Sequence, residues 1–117
     1  MQDKTILALT FVRNVVLSLP GVTEQLCFET PAFYVNKHIF ARLKEDEENI
    51  VVHTLEREKW MLKDPETFFI TAHYLNYKYM LVNLDRVEPN DLKELLLTAW
   101  KNRAPKKFWK ELPDQES

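Results

Sequence analysis

The chain has a single glycine, Gly21, in 117 residues. An average sequence of this length holds about eight. Dinucleotide fingerprints and phosphate-binding loops each need more than one glycine, and so does the nucleophile elbow of many hydrolases. The sequence therefore excludes these enzyme classes, and most turns must use Asn, Asp, Pro or charged residues. Because Gly21 follows Pro20 at the end of the first apolar pattern, we predict a positive φ there.

The remaining composition is typical of a globular protein, with 45% hydrophobic and 29% charged residues. One cysteine excludes an internal disulfide and any zinc site with two thiolates from one chain. The sequence contains no apolar run of membrane-spanning length, and its first residues do not resemble a signal peptide. We expect one domain over residues 1–117, with a frayed tail over 110–117, in a monomeric cytoplasmic protein.

Apolar spacing predicts helices at both ends of the chain. Leu9, Val12 and Val16 share one face of a helix over residues 3–19. A closing helix begins at Pro89, presents an apolar stripe to one face of a sheet, and ends before Pro105. A short third helix is expected over residues 55–63.

Between the helices, β-branched and aromatic residues predict short strands joined by turns. The pair Asn36-Lys37 suits a tight hairpin, and the acidic residues 45–48 suit a hairpin loop. These connections predict an antiparallel meander and therefore an α+β fold. The predicted strands cover residues 26–29, 32–35, 38–43, 49–54, 68–71 and 79–84.

Charge and aromatic residues point to binding rather than catalysis. Residues 101–117 carry a net charge of +2, whereas the first hundred carry −4. Basic and aromatic residues together can bind single-stranded nucleic acid, although such tyrosines also pack into cores and such lysines also serve solubility. His73, Tyr74 and Tyr77 lie in a predicted loop and are our candidate ligand-binding residues.

No catalytic constellation is visible. The three histidines are not spaced as metal ligands, and we interpret Cys27 as a small hydrophobic residue of a strand. The acidic residues 45–48 lack the ligand spacing of a calcium-binding loop. We therefore expect no enzyme activity, no metal and no cofactor.

Several segments resemble the MmcQ/YjbR family in a specific order. They are Leu19-Pro20-Gly21-Val22-Thr23-Glu24, residues 31–41 (PAFYVNKHIFA), residues 64–74 (DPETFFITAHY), residues 80–87 (MLVNLDRV), and the closing helix through Ala104-Pro105-Lys106-Lys107. The resemblance covers about residues 5–108. Lys37 stands one place from the usual position of the family lysine.

The resemblance implies a CyaY-like fold, with helices covering one face of an antiparallel sheet. It also implies weak DNA binding without strong sequence preference, through hairpin tips described as a double wing. One tip holds Asn36, Lys37 and His38, whereas residues 45–48 at the other would repel phosphate. The expected phosphate contacts are Lys37, Arg42, Arg103, Lys106, Lys107 and Lys110.

Two other functions fit the same residues. One is an adaptor that binds a protein or a small ligand and has no nucleic-acid role, as the acidic net charge and the aromatic residues 74–79 suggest. The other is a frataxin-like metal role. The second is disfavoured because the first helix has only Asp3 as a carboxylate.

Overall fold

The computed structural model describes residues 2–112 and has the predicted α+β architecture. Six antiparallel strands form one sheet, accompanied by helices and one short 3₁₀ turn. In chain order the elements are α1 (Asp3–Val16), β1 (Val22–Cys27), β2 (Thr30–Val35), β3 (His38–Leu43), β4 (Asn49–His53), α2 (Arg57–Lys63), β5 (Phe68–Phe69), the 3₁₀ turn (Ala72–Tyr74), β6 (Tyr79–Asn83), α3 (Pro89–Arg103) and α4 (Lys106–Trp109).

The sheet follows a meander only through its first four strands. Its order is β1-β2-β3-β4-β6-β5, so β6 pairs with β4 and the earlier strand β5 lies at the edge. The five residues of β6 all pair with β4, whereas β5 contributes only Phe68 and Phe69. The longer strand, β6, thus pairs with the free edge of β4. Helix α2 lies in the chain between β4 and the edge strand β5.

The helices cover one face of the sheet, as expected. α3 contacts α1 as well as β3 and β4, and α2 contacts β5. The core between the layers includes Val12 of α1, Trp100 of α3, and Phe33, Phe40 and Val52 of the sheet. Apolar burial on this face stabilises the fold. The opposite face of the sheet, away from the helices, is called the open face.

A β-bulge in β3 changes which side chains reach the open face. Phe33 pairs with Ala41 and Tyr34 pairs with Ile39, so Phe40 is an extra residue between them. Both Phe40 and Ala41 are therefore buried on the helix side. The next residue, Arg42, pairs with Val51 and turns to the open face.

Gly21 has the predicted positive φ, at +73°. It connects the end of α1 to β1 and lies against Phe108 of α4. A Cβ atom at Gly21 would lie 2.5 Å from Cε2 of Phe108. The glycine is therefore required both by its backbone conformation and by the close approach of α4.

The hairpins of the sheet turn without glycine. Asn36 and Lys37 both have positive φ, as in the predicted tight turn, and so do Phe28 and Glu29. The prediction of a strand over 26–29 was therefore wrong at its second half. β1 instead starts earlier, at Val22, and pairs fully with β2.

The structure also contains two elements that were not predicted, α4 and the 3₁₀ turn, and the other differences concern element ends. α1 ends at Val16, because residues 17–20 form turns before β1. The frayed tail predicted for 110–117 falls partly on residues 113–117, which lie outside the described residues, whereas Leu112 packs against the core. Within residues 2–112, no helix combines the length and apolar character needed to cross a membrane.

Candidate functional site

Three segments that carry basic residues meet at one end of the fold. Nη2 of Arg103, at the end of α3, lies 3.4 Å from Nδ1 of His38, beside the Asn36-Lys37 turn. Phe108 of α4 packs on Gly21, and the next residue, Val22, pairs with Val35 just before that turn. We call this surface the basic end; its residues are Lys37, Lys101, Arg103, Lys106, Lys107 and Lys110.

Five of the six predicted phosphate contacts belong to the segments that meet at this end. It also includes Lys101, whose ammonium lies 5.1 Å from the ring centre of Trp109. The sixth predicted contact, Arg42, is placed elsewhere: its side chain is on the open face of the sheet, is largely buried and pairs with Glu45. Its role as a phosphate contact remains a prediction, without support from the basic end.

His53 is a buried polar residue that contacts α3 and β6 close to the basic end. Its Nδ1 lies 3.4 Å from Nδ2 of Asn102, and its ring meets that of Tyr79 edge-on at 5.3 Å. Burial, together with the positive charges of Arg103 and Lys78, lowers the pKa of His53 to about 4. The imidazole is therefore neutral at pH 7, and charging it would add to the positive charge already present.

This lowered pKa predicts a loss of stability in acid. The unfolded chain takes up a proton on His53 near pH 6.5, whereas the folded chain does so only near pH 4, so stability is full above pH 6.5 and falls as the pH drops between these values. We expect wild type to lose about 2 kcal/mol more than His53→Gln between pH 7 and pH 5, measured by urea unfolding.

The exposed His73 provides the control for this experiment. His73→Gln also removes one imidazole and should keep the pH dependence of the wild type. Equal pH dependence in wild type and His53→Gln would show that His53 does not contribute to the acid response.

A cavity of about 660 Å³ opens on the face of the sheet away from the helices. We call it the groove. Ile39, Arg42 and Val51 of the sheet line its floor, and segments outside the strands form its walls. One wall is Phe28 in the β1–β2 turn, and the other includes Tyr74 of the 3₁₀ turn.

Arg42 provides the buried charge of the groove. Its Nη1 donates to a carboxylate oxygen of Glu45 and lies 3.3 Å from the Thr30 hydroxyl. Its Nη2 lies 3.4 Å from the Tyr74 hydroxyl. The hydrogen bond that Arg42 donates to Glu45 lowers the pKa of this carboxyl group, so the ion pair between the two residues persists in mildly acidic solution.

Phe28 holds an unusual position beside this charge. Its φ is +51°, and its side chain is 75% exposed. Its ring centre lies 5.4 Å from the guanidinium carbon of Arg42. A bulky residue in left-handed backbone is strained, and such strain concentrates at binding sites.

The predicted ligand residues divide between two depressions. His73 and Tyr74 line the groove, whereas Tyr77 lines a separate depression of about 270 Å³. Arg57 holds the backbone of this segment by donating to the carbonyl oxygens of Tyr74, Leu75, Tyr77 and Tyr79. Sequence reasoning did not identify Arg57 or Phe28, since neither belongs to a recognisable motif.

Metal binding has no local basis in the part of the chain that the structure describes. Across residues 2–112, no three His, Cys, Asp or Glu side chains are grouped to hold an ion. The acidic loop uses Asp46 internally, since this carboxylate accepts hydrogen bonds from the backbone of Glu48 and Asn49.

Comparison with known sequences identifies relatives of unknown function. The sequence model of the YjbR family matches residues 17–102. The uncharacterised proteins Mb2600 of Mycobacterium bovis and Rv2570 of Mycobacterium tuberculosis are each 41% identical over 45 residues, 38% of this chain. The matched segment spans 35% of the length of each of these curated relatives.

A solved structure shares the fold over nearly the whole chain. The crystal structure of Deinococcus radiodurans protein DR2400, a DUF419 domain, aligns with a TM-score of 0.69 and 27% identity. The alignment covers 89% of this chain and 88% of that protein. The architecture described above is thus also found in an experimentally determined structure.

Proposed function

The chain belongs to the YjbR family, and from that premise we propose that it binds DNA weakly, with little sequence preference, through the basic end. The single observation that carries this proposal is the contact between Arg103 and His38, which are 65 residues apart in sequence. This contact supports a surface on which the lysines of α4 and the Asn36-Lys37 turn face one backbone of phosphates.

Ion pairing also supports the proposal. Over residues 2–112, no carboxylate lies within ion-pair distance of any side chain of the basic end. Elsewhere, Lys4, Arg13, Lys63 and Arg86 are paired with Asp or Glu. Cations that are not already neutralised are the groups that displace counterions from DNA.

The proposed contact set is Lys37, Lys101, Arg103, Lys106, Lys107 and Lys110. Arg42 is left out because Glu45 neutralises it and because it lies on the open face of the sheet. In this proposal the Asn36-Lys37 turn is one wing of the double wing. The other hairpin tip, with the acidic residues 45–48, repels phosphate and makes no contact with it. The proposal describes a monomeric, non-catalytic protein that acts in the cytoplasm.

The test is a salt titration of duplex DNA binding. If all six cations contact phosphate, the plot of log affinity against log salt has a slope of about −5. The triple variant Lys106→Gln/Lys107→Gln/Lys110→Gln should reduce the steepness by about 2 to 3 and lower affinity at least about tenfold at low salt. Fluorescence anisotropy of a labelled duplex measures both quantities.

A matched variant controls for net charge. Lys4→Gln/Lys59→Gln/Lys93→Gln removes the same charge from exposed lysines outside the basic end and should change the slope much less. The proposal is wrong if wild type shows no binding at low salt, if its slope is near zero, or if both triple variants lose affinity equally.

A further inference from the structure

The groove has the size and shape of a small-molecule site and is separate from the proposed DNA contacts. Its volume of about 660 Å³ falls within the range of ordinary ligand pockets. Its floor is β-sheet, so the groups that line it are held by paired backbone. Apolar and aromatic side chains surround a few polar groups, which is the usual composition of such a pocket.

The position of Phe28 indicates a ligand with a flat ring. The equivalent first position of the next hairpin is Asn36, a residue that tolerates positive φ well. At φ +51° the chain instead carries a phenylalanine that projects into solvent at the lip of the groove. This strained, exposed ring lines the cavity together with Tyr74 and Tyr79 and provides a stacking surface.

The charges of the groove indicate an anion. Arg42 and Lys44 contribute two positive charges to the lining and Glu45 contributes one negative charge, which leaves +1. Nη1 of Arg42 donates to Glu45, Thr30 and the carbonyl oxygen of Leu43, whereas Nη2 donates only to the Tyr74 hydroxyl and so retains one of its two N–H donors. Its Nη2 and the Tyr74 hydroxyl lie 3.4 Å apart and can both donate to one carboxylate.

We propose that the groove binds a small planar aromatic carboxylate, with its ring against Phe28 and its carboxylate at Arg42 and Tyr74. The inference goes beyond DNA binding and does not depend on it. A nucleic acid strand is disfavoured as the occupant, because the acidic residues 45–48 adjoin the groove and repel a polyanion. A single carboxylate meets the net positive charge of the lining instead.

The probes for this site are naphthalene-2-carboxylate and its uncharged counterpart, naphthalene-2-carboxamide. Calorimetry with the whole chain should give a dissociation constant of about 0.1 mM for the carboxylate, the scale expected of a ligand this small. The carboxamide should bind at least about tenfold more weakly. In ¹H–¹⁵N spectra, the carboxylate should shift the amides of Ile39, Arg42 and Val51.

Two variants that each remove one aromatic ring distinguish binding in the groove from nonspecific binding to exposed rings. Phe28→Ala should weaken carboxylate binding about tenfold, since it removes the stacking surface without emptying the core. Tyr77→Ala removes a comparably exposed ring outside the groove and should leave binding unchanged. Equal losses in the two variants, equal affinity for the two probes, no binding at millimolar concentration, or spectral shifts on the helix side would each overturn the proposal.

The two binding proposals can fail independently. Lys106→Gln/Lys107→Gln/Lys110→Gln should bind naphthalene-2-carboxylate as wild type does, and Phe28→Ala should bind duplex DNA as wild type does. Displacement of the carboxylate by duplex DNA would instead show that the groove is part of the nucleic-acid surface, which contradicts the inference.

Discussion

Gly21→Ala should lower the free energy of unfolding by about 3 kcal/mol, of which about 1 kcal/mol comes from the left-handed backbone and about 2 kcal/mol from overpacking. The backbone part follows from φ +73°, which an alanine adopts only with strain. The packing part follows from Phe108, whose Cε2 would lie 2.5 Å from the new Cβ. Urea unfolding monitored by tryptophan fluorescence measures the loss.

The Phe108→Ala background separates these two contributions. Once the ring is gone, the added methyl group has no close neighbour among the atoms it would meet, so Gly21→Ala should cost only about 1 kcal/mol there. An equal cost in both backgrounds would show that α4 does not press on Gly21. In the single variant the ring must move, and because α4 carries Lys106 and Lys107, we also expect weaker DNA binding.

The regular elements could be predicted because their signals are local. The strand His38–Leu43 was predicted at its observed bounds, since the Asn36-Lys37 turn fixes its start and the acidic loop follows its end. The helix α3 was predicted from Pro89 onward because an apolar stripe repeats between two prolines. In both cases, short-range pattern and tertiary packing favour the same structure.

Two residues that line the groove, His73 and Tyr74, were named from the sequence, but its other aromatic wall and its buried charge could not be predicted because they depart from the local rule. Phe28 and Glu29 have side chains that favour strands or helices over left-handed turns, so their turn was read as a strand. Simple alternation would put Arg42 on the same face as Phe40, and only the bulge moves it to the open face. Such departures arise from the pairing of whole strands and concentrate where a site is formed.

The basic end could be predicted only in part. Lys106, Lys107 and Lys110 are neighbours in sequence, so their cluster is visible without a structure. Lys37 joined them only through the family resemblance, and its position beside Arg103 depends on packing between elements 65 residues apart. Composition can thus identify the charges, but only the fold shows which of them share a surface.

Arg57 is the residue on which the wall of the groove most depends. Its Nη1 donates to the carbonyl oxygens of Tyr74, Tyr77 and Tyr79 at 2.8, 2.6 and 3.2 Å, and its Nη2 donates to that of Leu75 at 2.6 Å. Hydrogen bonds from a charged donor contribute more than neutral ones. The carbonyls of Leu75, Tyr77 and Tyr79 lose this donor together, whereas that of Tyr74 keeps the backbone N–H of Tyr77. We expect Arg57→Ala to lower the free energy of unfolding by about 2 to 3 kcal/mol in urea titrations.

Arg86→Ala is the matched control, because this arginine contacts mainly the exposed carboxylates of Asp64 and Glu66 and should cost less than about 1 kcal/mol. Hydrogen exchange distinguishes a local effect from a global one: Arg57→Ala should speed exchange most over residues 74–79, where the carbonyl network is lost. Because Tyr74 belongs to both the network and the groove, the variant should also weaken binding of naphthalene-2-carboxylate. If Arg57→Ala and Arg86→Ala have the same stability and the same exchange pattern, the network does not hold the wall, and the groove must owe its shape to the sheet alone.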